Sequence, residues 1–151
     1  MLIEEANLFR GLRRQFVEGV QKQLVEESHD AGEFLFRLGE PAEYLYILVE
    51  GRVRLSIGEK GHIALVASGT GDAFGWSSLL ENNTYTASAE CLVRSRVTKI
   101  ARKKLAEFFE QDPATGLQFY KRLAELIAQR LLDTYRLIPA AHGEQRAAPG
   151  G

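Results

Sequence analysis

From Leu8 to Val25 the apolar residues Leu8, Phe9, Leu12, Phe16, Val20 and Leu24 recur at spacings of three and four. That period predicts a short turn followed by an amphipathic helix. After Glu33 the pattern changes to short runs rich in β-branched and aromatic residues: Phe34–Phe36, Tyr44–Val49, Val53–Ile57, His62–Ala67, Tyr85–Ala89 and Leu92–Ile100. Glycines and a proline separate these runs, among them Gly32, Gly39, Pro41, Gly51, Gly58, Gly69, Gly71 and Gly75. Many short strands with closely spaced turn signals predict an antiparallel sandwich or barrel. Helical character returns over Lys103–Glu110 and again over Pro113–Ile138. Asp112 is the expected N-cap of that last helix and Pro113 its first residue, where a missing N–H costs nothing.

The long helix carries two apolar stripes. Leu117, Tyr120, Ala124, Ile127, Leu131 and Ile138 form one, and Leu123, Leu126 and Leu137 the other. Two readings fit equally: one face on the domain and the other on a partner, or a single broad face in the core. The segment from Ala140 to Gly151 is rich in Ala, Gly and Pro without an apolar period, so residues 139–151 are expected to be a flexible tail after one domain spanning 1–138.

Two stretches are more specific. Phe36-Arg37-Leu38-Gly39-Glu40-Pro41 leads into the apolar strand Tyr44–Val49, the hairpin glycine Gly51 and a new strand at Val53. The second stretch runs Gly71-Asp72-Ala73-Phe74-Gly75-Trp76-Ser77-Ser78-Leu79-Leu80 and, after a short gap, Tyr85-Thr86-Ala87. Together they resemble the cyclic nucleotide-binding domain of Crp/Fnr-type regulators, the second stretch being similar to its phosphate-binding cassette. With the flanking helices the resemblance covers roughly Leu8 to Ile138. It implies an α+β fold: a flattened antiparallel β-roll, or jelly roll, of about eight strands with N-terminal and C-terminal helices. It also implies a regulatory, non-enzymatic function and a ligand site at Phe74, Gly75, Trp76, Ser77, Ser78, Tyr85, Thr86 and Ala87, with no catalytic residue and no metal.

The cassette has a physical logic of its own. A helical turn over Trp76–Leu80 leaves its first N–H groups unpaired, which favours an anion. Gly75 admits close approach to the backbone, Thr86 adds a hydroxyl, and Leu79 and Leu80 are expected to anchor the turn. The candidate ligand is thus a cyclic nucleotide or another small anion. This sequence nevertheless departs from the family pattern at two positions. Trp76 stands where the family has the glutamate that accepts a ribose hydroxyl, and Tyr85 where it has the arginine that pairs with the phosphate. Each contact is of the order of 1.5–3 kcal/mol. Arg52 and Arg54, expected to share a strand face, are candidates to compensate, although solvated surface charge is the simpler reading of them. Trp76 either stacks on a flat ligand or fills the vacated sugar site. Tyr85 donates its hydroxyl either to a ligand or to a backbone carbonyl.

Charge and composition narrow the partners. Nineteen Lys and Arg against twenty Asp and Glu leave no basic excess for a phosphate backbone. The 13 residues after Ile138 hold no helix-turn-helix, so a stand-alone module that does not bind nucleic acid by itself is expected. No apolar run approaches the ~20 residues that cross a membrane, and acidic Glu4 and Glu5 stand where a secretory signal would be basic. A cytoplasmic location is the expectation. Cys91 is the single cysteine, and His29, His62 and His142 lack metal-ligand spacing. Ser28-His29-Asp30 reads as a turn rather than a triad. Gly69–Gly75 has no dinucleotide-binding spacing, and Arg102-Lys103-Lys104 is a solvated helix start balanced by Glu107 and Glu110. The expected protein is a ligand sensor that signals through a protein partner and forms a homodimer along Leu117, Tyr120, Ala124, Ile127 and Leu131. The rival is a ligandless dimerisation module whose pocket Trp76 has closed.

Overall fold

The computed structural model describes residues 2–57, 63–81 and 83–137. His62, Ile138 and the segment 139–151 lie outside the described residues. Eight strands form two four-stranded antiparallel sheets with helices before and after, the α+β β-roll expected. The strands are β1 Val25–His29, β2 Phe34–Phe36, β3 Tyr44–Glu50, β4 Val53–Ile57, β5 Ile63–Ala67, β6 Ala73–Phe74, β7 Ser88–Cys91 and β8 Ser95–Ala101. One sheet runs β1-β8-β3-β6 and the other β2-β7-β4-β5. The helices are α1 Arg14–Gln23, α2 Arg102–Gln111 and α3 Pro113–Leu137.

Alternation along β3 explains its unbroken apolar run. Leu45 and Ile47 face the helices and pack with Phe9, Phe16, Val20, Ile100, Leu105, Phe119 and Leu123. Tyr46 and Leu48 face into the roll, where Phe36, Val53, Phe74, Tyr85, Ala89 and Val97 complete a second core. The β3–β4 hairpin needs Gly51. Its φ is +116°, and an added Cβ would lie 2.7 Å from the Ser95 Cα.

Three boundaries differ from the sequence expectation. Val25, Ser28 and His29 belong to β1, paired with β8 from Val25↔Lys99 to His29↔Ser95, rather than to a helix end and a turn. This edge strand has no apolar alternation to read. Its side chains hold it by ion pairs instead: Lys99 Nζ to Glu27 Oε2 at 2.8 Å and Arg96 Nη1 to Glu26 Oε1 at 3.0 Å. Tyr85, Thr86 and Ala87 precede β7 rather than forming part of it, and Leu92–Arg94 make the turn before β8. There the Leu92 amide donates to the Arg52 carbonyl and Ser95 Oγ to the Val93 carbonyl.

The α3 cap is as expected. The Asp112 carboxylate accepts the Thr115 amide at 3.2 Å and the Thr115 hydroxyl at 2.7 Å. Phe119 and Leu123 are buried, with Leu126 and Ile127 packed beside them. Leu117 is 59% exposed, Tyr120 40% and Leu131 48%, and Ala124 is also exposed. The helix therefore has an inward and an outward apolar face. Ile127 belongs to the inward one, and Ala128 takes its place outside.

Candidate functional site

The cassette is a single 3-10 turn, Trp76–Leu79, opened by Gly75 in the left-handed region at φ +76°. A Cβ on Gly75 would lie 3.2 Å from the Tyr44 carbonyl and 3.3 Å from the rings of Phe36 and Tyr46, so the chain passes here only as glycine. The Gly75 carbonyl accepts the Ser78 amide at 3.2 Å and the Ser78 hydroxyl at 2.9 Å, which closes the turn. Ser77 and Ser78 are both buried, and Ser77 Oγ lies 3.2 Å from Thr86 Oγ1. Leu79 packs on the helix-side core as expected. Leu80 does not anchor the turn: it is 43% exposed because the chain has already turned back toward the surface.

A cleft of about 40 Å³ remains between the turn and the roll. Phe36, Leu55, Gly75, Trp76, Ser77, Tyr85, Thr86 and Ala87 line it, with no charged side chain among them. Phe74 is fully buried behind it in the core of the roll. Tyr85 occupies much of the space. Its ring stacks on Phe36 with centroids 3.8 Å apart and 12° between planes. Its hydroxyl donates to the Tyr44 carbonyl at 2.8 Å and accepts the Tyr44 amide at 3.2 Å. Of the two acceptors open to that hydroxyl in the sequence reading, it takes the backbone carbonyl. Burial pushes its pKa up to about 12, and burial raises Tyr46 as well.

Neither compensating arginine reaches the cleft. Arg54 points out of the roll, since Val53 and Leu55 on the same strand point in, and it pairs with Glu90 directly across the β4–β7 ladder. Arg52 is exposed and precedes β4, so the two do not share a strand face as the sequence suggested. The register of the Gly51 hairpin decides this.

Sequence reasoning missed a different arginine. Arg130 comes in from α3, donates from Nη2 to the Ala73 carbonyl at 3.3 Å and places its guanidinium 5.3 Å from the centre of the Trp76 ring. Its buried Nη1 has no partner among the described residues. Burial lowers its pKa, opposed by the charges of Asp72 and Asp133. Trp76 itself is half-buried, packs against the helix-side core and also lines the cleft. The sequence signal was slight: Arg130 interrupts the apolar pattern beside Ile127 and Leu131.

Elsewhere, His29 lies between Glu33 Oε2 at 2.8 Å and Glu27 Oε1 at 3.1 Å, in ion-pair geometry on the surface of β1. Arg102 bonds to Asn83, while Lys103 and Lys104 are exposed. No group of His, Cys, Asp and Glu suited to a metal occurs among the described residues, and no described helix is long and apolar enough to cross a membrane.

A model of the cyclic nucleotide-binding domain matches residues 26–112, more than half of the chain. The chain belongs to the cyclic nucleotide-binding domain family. A CRP-like cAMP-activated global transcriptional regulator of Mycobacterium tuberculosis is 26% identical over 137 residues, covering 88% of this chain and 58% of the regulator. A Geobacter metallireducens structure assigned as a cyclic nucleotide-binding protein superposes with a TM-score of 0.74 at 27% identity, covering 83% of this chain and 92% of that one. The Thermus thermophilus catabolite activator protein gives 0.67 at 25% identity over 85% of this chain and 59% of its own. The cyclic nucleotide-binding domain is a regulatory fold of the Crp/Fnr kind, and this chain spans little more than half of the two regulators. Tyr85 stacked on Phe36 and the uncharged lining of the cleft are the two features in which the cassette departs from the family pattern.

Proposed function

We propose that this chain is a non-enzymatic, cytoplasmic interaction module on the cyclic nucleotide-binding fold, with its ligand pocket closed from within and its output carried by α3. The carrying observation is the cleft: about 40 Å³ with no charged lining, where small-ligand sites run to about 300 Å³ or more. Filling comes from Tyr85 at least as much as from Trp76, since Tyr85 stacks on Phe36 and has both hydrogen-bonding functions of its hydroxyl satisfied.

The outward face of α3 supplies the contact. Leu117, Ala124, Ala128 and Leu131 follow helical spacing along one side and are exposed, and Tyr120, packed in part against the Phe109 ring, lies among them. The small Ala124 and Ala128 let a second helix approach closely, so a second copy of the chain is the expected mate. Light scattering is the test: wild type is dimeric at tens of micromolar, on the scale of ordinary affinities, and Leu131→Glu, at an exposed site, is monomeric and folded. A monomeric wild type rejects the α3 surface. The signalling partner beyond that dimer is a further protein, bound without DNA.

The reading of the cassette as a live anion site keeps one feature in its favour, the Ser77 and Thr86 hydroxyls 3.2 Å apart at the cleft. Thermal-shift titration with cyclic AMP, cyclic GMP and inorganic phosphate separates the two, since a ligand selective for the native state raises Tm. No shift up to millimolar concentration is expected. A saturable shift restores the sensor reading.

A further inference from the structure

We propose that the groove between the end of the cassette turn and the start of α2 is a ligand site of its own, suited to a small amphiphilic carboxylate with an anionic head and a short apolar body. It shares no lining residue with the cassette cleft. Ala124, Ala128 and Leu131, the centre of the α3 contact, lie one to three turns further along the helix, so the site stands or falls independently of that dimer.

The groove holds about 430 Å³, inside the range of about 300–1,000 Å³ typical of small-ligand sites. Three elements converge on it: the end of the cassette turn, the first two turns of α2 and Tyr120 of α3. Leu79, Leu80, Ala106 and Phe109 give it an apolar wall. Leu80 is 43% exposed and Tyr120 40%, so apolar surface lies open to solvent here. That exposure is what an apolar ligand body would cover. Arg102 and Lys103 supply two cations to the lining against the single carboxylate of Glu81.

The charge beside that wall runs against local helix preference. A helix start favours acids, yet α2 opens Arg102-Lys103-Lys104 with no acid in its first turn and no side-chain cap from Ala101. Neither lysine is paired with a carboxylate among the described residues. Arg102 donates to the Asn83 side chain, and its amide donates to the Glu43 carbonyl at 2.9 Å, which holds the start of α2 beside the groove. The Tyr120 hydroxyl reaches the Leu79 carbonyl only at 3.5 Å, too long to commit it there. An inorganic anion would meet the cations and leave Leu80 and Phe109 bare, and a neutral hydrocarbon would do the reverse. A carboxylate on a short apolar chain satisfies both.

Octanoate is the probe, with acetate as its head alone and octanol as its body alone, each titrated into the full-length chain and followed by amide NMR. Saturable octanoate binding with a Kd of about 1 mM or tighter is expected. It shifts amides 78–81, 102–109 and 120 and leaves those of Tyr85–Ala87 in place. Acetate and octanol bind on the order of tenfold more weakly, each having lost one half of the contact. Lys103→Gln weakens octanoate about fivefold, the ceiling for one exposed ion pair. Ala106→Trp, at an exposed helix position, fills the groove and abolishes binding, and Leu80→Ser weakens it from the other wall; unchanged amides of β3 and β8 verify the fold of each variant. Lack of saturation by about 10 mM overturns the site, as does octanoate binding that all three variants retain at parental strength. Octanol or acetate binding as tightly as octanoate overturns the ligand class. Shifts of the groove amides with protein concentration alone, without octanoate, would assign the groove to a second copy of the chain and reject the ligand.

Discussion

Replacing Trp76 by Glu and Tyr85 by Arg tests whether two side chains separate this pocket from a cyclic-nucleotide site. Gly75, Leu79, Thr86 and Ala87 already match the family pattern, and Gly75 has the backbone conformation that opens the cassette turn. Tyr85→Arg removes the ring stacked on Phe36 and leaves the Tyr44 amide and carbonyl without their hydroxyl partner. Losing the buried ring costs about 3–5 kcal/mol, and the orphaned backbone groups about 1–3 kcal/mol more. Trp76→Glu removes indole packing and sets a carboxylate near Arg130, whose charge offsets part of the loss. A small domain has about 5–15 kcal/mol of stability in all, so the double variant needs stabilising buffer, and its fold must be verified first by circular dichroism. On the binding side, an arginine–phosphate pair contributes about 1.5–3 kcal/mol, or about 10- to 150-fold in affinity. The carboxylate adds less than its nominal share, because Arg130 competes with the ribose for it and neighbouring changes are not additive. Calorimetric titration with cyclic AMP should show no heat of binding for wild type and measurable binding for the folded double variant. Micromolar binding by wild type would refute the closed pocket. Absence of any gain in a folded double variant would show that backbone shape, not these two side chains, excludes the nucleotide.

Tyr85→Phe keeps the stack on Phe36 but strips the Tyr44 backbone of its partner, and urea unfolding should show a loss of about 1–3 kcal/mol. Because burial raises the Tyr85 pKa from 10.0 to about 12, its contribution is complete below pH 10 and is lost as pH rises through 12; Tyr85→Phe should flatten that alkaline limb. Asp112 behaves oppositely. Its hydrogen bonds to Thr115, aided by Arg13, hold the carboxyl below its ordinary 3.8, so its contribution is present above that value and lost as pH falls through the lowered one. Asp112→Ala should lower Tm at neutral pH and shrink the acid limb of the stability profile. Gly51→Ala forces a side chain into a φ of +116° and against Ser95, and should cost more than about 2 kcal/mol by denaturant titration.

What could be read from the sequence was whatever neighbouring residues encode together. The helical period of α3, its Asp112 cap, the glycine at each forced turn and the doubly buried run of β3 are all local, and each predicted its element. The cassette resemblance was legible for the same reason, since its residues lie in one continuous stretch from Gly71 to Ala87. Tertiary structure decided the rest. β1 carries Glu26, Glu27, Ser28 and His29 without apolar alternation, so only its pairing with β8 makes it a strand. The Tyr85 hydroxyl finds Tyr44, 41 residues away, and Arg130 finds the Ala73 carbonyl, 57 residues away. On α3 a rotation of one residue separates Ile127 from Ala128, and packing against the helix-side core, not the spacing, assigned one inward and the other outward. A side chain's choice between ligand, backbone and solvent depends on which long-range neighbour reaches it first with matching polarity, and that is a property of the folded chain.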